Sequence, residues 1–102
     1  MSFRVVLDSR AWQDYKQIEA YFLENELAHL IPEFDDDLTS TLRFIGQNPL
    51  LRSGSRPGVR HEALRVFKHH HVWFRVFEDI EHVEVFGILH DARSPRTVEE
   101  RL

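Results

Sequence analysis

Between Lys68 and His90 the chain alternates polar and apolar residues twice over, with a short polar break between the two runs. Val72, Phe74 and Val76 take one phase; after Glu78 to Glu81, Val83, Val85 and Leu89 resume it, with Gly87 between. A period of two marks a strand with one buried face. Two such strands joined by a tight turn form a hairpin, which needs a third layer to cover it. A two-residue turn at Asp79-Ile80 would pair Val76 with Val83. That register sets Arg75 across from Glu84, Trp73 across from Phe86 and His69 across from His90. The outer face then carries His69, His71, Trp73, Arg75 and Phe77 opposite Glu84, Phe86, Ile88 and His90. This is an aromatic floor studded with His and Arg, where a purely structural sheet is plainly polar.

The covering layer is written upstream. Ala11, Tyr15, Ile18 and Phe22 recur at helical steps, with Asp8 or Ser9 able to cap the start. Leu27, Ile31, Phe34, Leu38, Leu42 and Ile45 continue a helical stripe that Asn48-Pro49 ends. Asn25 is a second cap candidate. Pro32 either kinks this stripe or marks the true first turn of a helix, where Glu33, Asp35, Asp36 and Asp37 would suit the positive end of the dipole. A short apolar strand at Phe3 to Leu7 precedes the helices. A Gly-, Pro- and Ser-rich loop, Arg52 to Gly58, follows them, and a further strand spans Val59 to Phe67. The expected fold is α+β: an N-terminal strand at the sheet edge, an antiparallel two-helix hairpin, then a three-stranded antiparallel sheet over Val59 to Phe67, His69 to Phe77 and His82 to His90.

A chain of 102 residues with 42% apolar residues suits one globular domain, 1–102. Cysteine is absent, which excludes disulfides and thiolate metal sites. No apolar run is long enough for a membrane span, and MSFRVVLDSR is no signal peptide, so a cytoplasmic protein is expected. The net charge of −4 is unevenly spread. Residues 1–47 hold four Lys/Arg against nine Asp/Glu, whereas residues 52–75 hold six Lys/Arg against Glu62 alone. Four histidines, His61, His69, His70 and His71, fall in the basic stretch. A basic working surface on an acidic body would explain this, and so would a solvated basic face with no partner.

The order of these pieces resembles the ParE/RelE superfamily of toxins from bacterial type II toxin–antitoxin modules. Ala11 to Tyr21 looks like that family's first helix and Asn48-Pro49 like the end of its second. Leu64-Arg65, Val72 to Val76, and Val85 to Leu89 running into His90-Asp91-Ala92-Arg93 look like its last three strands. The resemblance covers nearly the whole chain, and the apolar strand ending in His-x-x-Arg is its most specific part. It implies a toxin held inactive by a cognate antitoxin, with operator DNA reached only through that antitoxin. It offers two targets: ParE-like members poison DNA gyrase, and RelE-like members cleave mRNA on the ribosome. Two departures favour the ParE-like branch. The tail after Arg93 has no aromatic residue, and the chain is acidic where ribosome-directed nucleases are strongly basic. A toxin-like fold kept only as an inactive binding module is a further alternative.

Arg65, Arg75, His90 and Arg93 are the candidate target-contacting or catalytic residues, with His69 and His71 beside them as proton carriers should the chain be an endoribonuclease. The arginines could instead balance Glu62, Glu84 and Asp91. His69, His71 and His90 could converge on a metal, but no Cys or ordered carboxylate set completes such a site, so neither metal nor cofactor is expected. Leu27, Leu30 and Phe34, around Pro32, are the expected exposed apolar contacts for an antitoxin segment.

Overall fold

The computed structural model describes residues 2–51 and 58–102, so most of the expected Arg52 to Gly58 loop lies outside the described residues. The elements run β1 (Arg4–Leu7), α1 (Ser9–Glu24), α2 (Ile31–Gln47), β2 (Val59–Ala63), β3 (His70–Phe77), β4 (His82–His90) and α3 (Ser94–Arg101). The strands form one sheet ordered β1-β4-β3-β2, antiparallel except that β1 runs parallel to β4 at the edge.

Local chemistry sets the helix ends. Asp8 caps α1, its carboxylate accepting from the amides of Arg10 at 2.9 Å and Ala11 at 3.0 Å. Asn25 closes the C-terminus of α1 rather than opening a new helix. Glu26 turns the chain with φ 58°, and a 3₁₀ turn over Ala28–Leu30 leads into α2. Pro32 stands in the first turn of α2, where its missing amide hydrogen is no loss, and Glu33 beside it faces the positive helix end.

Phe22, Phe34, Leu38 and Ile45 of the helices meet Val72, Phe74, Val83, Val85 and Ile88 of the sheet in one core. Phe34 packs with its ring centre 5.8 Å from that of Phe22 and 5.1 Å from that of Phe67, both near edge-to-face. This corrects the expected exposed patch. Phe34 is 1% exposed, and Leu27 and Leu30 pack half-buried against the core. The stripe that suggested a docking face is the stripe that closes the hydrophobic layer.

The hairpin register holds at the turn end: Val76 pairs with Val83 and Arg75 with Glu84. The turn itself is a 3₁₀ segment over Glu78–Ile80 with Glu81 left-handed at φ 52°. Farther on, Phe74 pairs with Val85 but Trp73 pairs with Gly87, so Phe86 is an extra residue in β4. Beyond this bulge every β4 side chain changes face. Trp73 lies opposite Gly87, not Phe86, and His90 lies opposite His70, not His69. Ile88 joins the helix-facing core, while Leu89 joins Phe86 on the other side.

That second side is covered by α3, a helix that the sequence pattern does not display. Val98 packs on Phe86, Leu89, Val59 and Trp73. Eight residues make a marginal helix alone, and Arg101 anchors this one. Its guanidinium grips the buried Asp14 carboxylate with two bonds, 2.7 and 2.9 Å. β1 ceases to cover β4 where the Asp8 amide meets the Val85 carbonyl. Just beyond, Arg101 Nη1 donates to the Phe86 carbonyl at 2.9 Å, and the Ile88 amide donates to Asp14 at 3.0 Å. The ion pair thus satisfies the strand-edge groups left by the bulge. A Cβ on Gly87 would stand 3.2 Å from Arg101 Nη1, so glycine lets the guanidinium lie against the strand.

β2 stops at Ala63 rather than continuing to Phe67. The Asp37 carboxylate, buried on α2, accepts from the amides of Arg65 at 3.2 Å and of Val66 and Phe67 at 2.9 Å. Those amides turn inward to one carboxylate, so the segment folds into a loop that returns through Leu64 N–H to the His70 carbonyl at 3.0 Å.

Candidate functional site

The four candidate residues occupy three separate places. Arg65 is exposed on the Asp37 loop, along a groove between α2 and β2 that Glu33, Asp36 and Arg43 also line. Arg75 lies on the α3 side of the sheet, its guanidinium 5.4 Å from the centre of the Phe86 ring, with Arg10 at 5.8 Å. His90 and Arg93 open on the opposite side, into a cleft of about 510 Å³ between α1 and the end of the hairpin. Ile18, Phe22 and Ile88 give that cleft an apolar lining, and Gln17, Tyr21 and His70 line it too. The shared outer face expected for Arg75 and His90 therefore does not form, because the bulge at Phe86 sends His90 to the helix side.

Asp14 lines the cleft as well and is firmly bound to Arg101, whereas Arg93 and His90 are lightly held. The Arg93 guanidinium reaches Gln17 only at 3.5 Å, the limit of a hydrogen bond. His90 Nδ1 accepts from the Ala92 amide at 3.2 Å, which leaves the ring proton on Nε2. His70 meets His90 edge-on with ring centres 5.2 Å apart. Burial, helped by His90, depresses His70 to about 4.

A second cluster lies on the α3 side, and His61 of β2 is its unanticipated member. His61 stacks on Trp73, ring centres 4.4 Å apart, and its Nδ1 is 3.2 Å from His71 Nδ1. His71 Nε2 is 2.6 Å from Asp91 Oδ1, and His69 Nδ1 is 3.1 Å from the other Asp91 oxygen. Burial and then the neighbouring His71 lower His61, while the His69 hydrogen bond and His71 hold Asp91 below the usual carboxylate range. His90 does lie beside His69, ring centres 5.9 Å apart, but His69 and His71 both turn a ring nitrogen to Asp91, and the His69, His71 and His90 metal set does not assemble. Among the described residues no three His, Cys, Asp or Glu side chains are placed to hold one ion. Only the β2–β3 register brings His61 to His71, and nothing in the sequence spacing displays it.

A pH dependence follows from His70. A histidine depressed in the fold takes up its proton more readily when unfolded, so its contribution to stability is present above about 6.5 and is lost as pH falls toward about 4. Urea midpoints should therefore decline between pH 7 and 5, and His70→Phe should flatten that decline.

The sequence matches no protein-family model and no curated protein. Solved structures do match. A chain of the chromosomal ParDE toxin–antitoxin system from P. aeruginosa superposes with a TM-score of 0.72, at 16% identity over 87% of this chain and 96% of that one. A free-state mutant of the E. coli toxin RelE superposes at 0.66, with 14% identity over 98% of this chain and 93% of that one. The fold is that of the ParE/RelE toxins. The RelBE2 toxin–antitoxin complex from Mycobacterium tuberculosis matches at 0.57, with 14% identity over 88% of this chain and 99% of that one. At such identity the likeness is one of backbone alone, in the α+β fold. Among the described residues no helix is long and apolar enough to cross a membrane.

Proposed function

We propose that this ParE/RelE-fold chain is the toxic component of a type II toxin–antitoxin pair, acting in the cytoplasm as a ParE-like inhibitor of DNA gyrase and neutralised by a cognate antitoxin. The observation that carries the gyrase branch is the dispersal of the candidate cations. Arg65, Arg75 and the His90–Arg93 pair look in three directions, so they do not surround one scissile phosphate as general acid, base and charge stabiliser would. α3 lies over the Phe86 face and carries no aromatic residue, and the chain is acidic. Such features suit a protein that grips another protein better than one that docks on RNA. The antitoxin contact is assigned to the α1 cleft, where an apolar lining meets Arg93 at its edge. Operator DNA is contacted through the antitoxin alone.

One observation favours the ribonuclease reading: the His61–His71–Asp91 chain could pass a proton. Gyrase supercoiling and ribosome-dependent mRNA cleavage, each assayed with purified protein, separate the two. Inhibited supercoiling with intact mRNA is expected; cleaved mRNA with unaffected gyrase would overturn the proposal. Arg93→Ala provides the residue-level check. Its side chain is exposed and weakly held, so stability should change by no more than about 1 kcal/mol. Growth inhibition should nevertheless fall sharply, because a guanidinium that grips a carboxylate is worth on the order of 2 kcal/mol at a contact. A variant that melts and kills like the parent would remove Arg93 from the site. His90→Gln should weaken a gyrase inhibitor little, and a ribonuclease that uses His90 roughly 100-fold.

A further inference from the structure

We propose that His61 and His71 form a two-nitrogen site for a divalent ion of the zinc type, with Asp91 holding the His71 ring in place. The site stands apart from the Arg93 cleft and does not depend on the toxin reading.

The geometry begins with the sheet. His61 pairs with Trp73 and Ala63 with His71, so the two imidazoles are diagonal neighbours on one face of β2 and β3. Their Nδ1 atoms are 3.2 Å apart. Zinc–imidazole bonds run about 2.0–2.1 Å, so two nitrogens at this spacing subtend roughly 100° at a common ion, near the tetrahedral angle.

The protonation pattern fits as well. The 2.6 Å contact from His71 Nε2 to Asp91 places the ring proton on Nε2 and leaves the Nδ1 lone pair facing His61. A carboxylate on the far nitrogen is the arrangement that orients metal-bound histidines and raises their basicity. Without metal, the His61 Nδ1 proton bridges the pair. On binding, His61 moves that proton to Nε2, so both Nδ1 lone pairs become ligands and no proton is lost. A metal requires both imidazoles as neutral rings, and in that form His61 offers one nitrogen to the ion. Trp73, stacked at 4.4 Å, fixes the plane of that ring. Imidazole suits zinc, copper and nickel, and water fills the remaining positions.

The test is calorimetric titration of zinc chloride into the tag-free, chelator-stripped full chain, with the histidine Cε1–H resonances followed by NMR. One ion per chain should bind, shifting His61 and His71 first. Saturable uptake should vanish in His61→Ala and His71→Ala and weaken roughly 10–100-fold in Asp91→Asn. It should persist in His69→Ala and His90→Ala. Since His61 is exposed on an edge strand, His61→Ala decides the matter if His71→Ala fails to fold. No uptake by the parent, or parent-like uptake by His61→Ala, would sink the proposal, the latter by placing the ion elsewhere on the chain.

Discussion

Asp14→Ala should be among the most damaging single substitutions in this protein, lowering stability by about 3–5 kcal/mol. Asp14 is 4% exposed and serves three donors: two guanidinium nitrogens of Arg101 and the amide of Ile88. Removing it leaves a partly buried cation and a strand-edge amide without their acceptor. The Phe86 carbonyl then depends on an Arg101 that has lost its anchor, and α3 loses its hold on the sheet. For a domain of this size each kcal/mol moves the melting temperature by roughly 4–8 °C, so the variant should melt at least 12 °C below the parent. Arg101→Ala should also destabilise strongly, since it strands the Asp14 carboxylate. The double variant should cost less than the sum of the two. Urea denaturation of all three checks this; additive losses would mean that the pair does not act as a unit.

Asp37→Ala is the second large effect, expected at about 2–4 kcal/mol because three amides lose one shared acceptor. Val66 is 66% exposed, so water can reach part of that loop, which places the loss below the Asp14 value. The damage should be local first. Hydrogen exchange at Val66 and Phe67 should accelerate, along with that of Leu64, whose amide bond to His70 depends on the loop closing. Asp37→Asn keeps a single acceptor oxygen and should fall between the parent and Ala. Parent-like protection in Asp37→Ala would show that the loop is held by packing of Phe67 against Phe34 and Phe22 instead. Either loss is a large share of the 5–15 kcal/mol typical of whole domains.

Elements that depend on neighbours along the chain were readable in advance. The stripe from Ala11 to Phe22, the Asp8 cap, the stop at Asn48-Pro49 and the hairpin pairing from Val76–Val83 to Phe74–Val85 are all present. Each rests on interactions spanning a few residues, or on a turn that counts residues from a common origin. Errors begin where one inserted residue changes a count. Phe86 bulges, and the faces of Ile88, Leu89 and His90 reverse together. α3 did carry a local sign, Ser94-Pro95 ahead of a short polar run, but that run holds one buried apolar residue, Val98, and shows no helical stripe.

The sequence by itself determined the α+β order and the helical cover, because periodicity and caps are local quantities; the four candidate residues rest on the family resemblance. Only the tertiary structure decided which of those residues meet. Asp14 finds Arg101 across 87 positions, Asp37 finds the amides of Arg65 to Phe67, and His61 finds His71 through strand pairing. The same packing separated Arg75 from His90. A buried carboxylate must acquire donors wherever the fold supplies them, and a bulge must have its exposed amide and carbonyl satisfied from outside the strand. Those demands are met in space, by residues whose spacing along the chain carries no trace of the meeting.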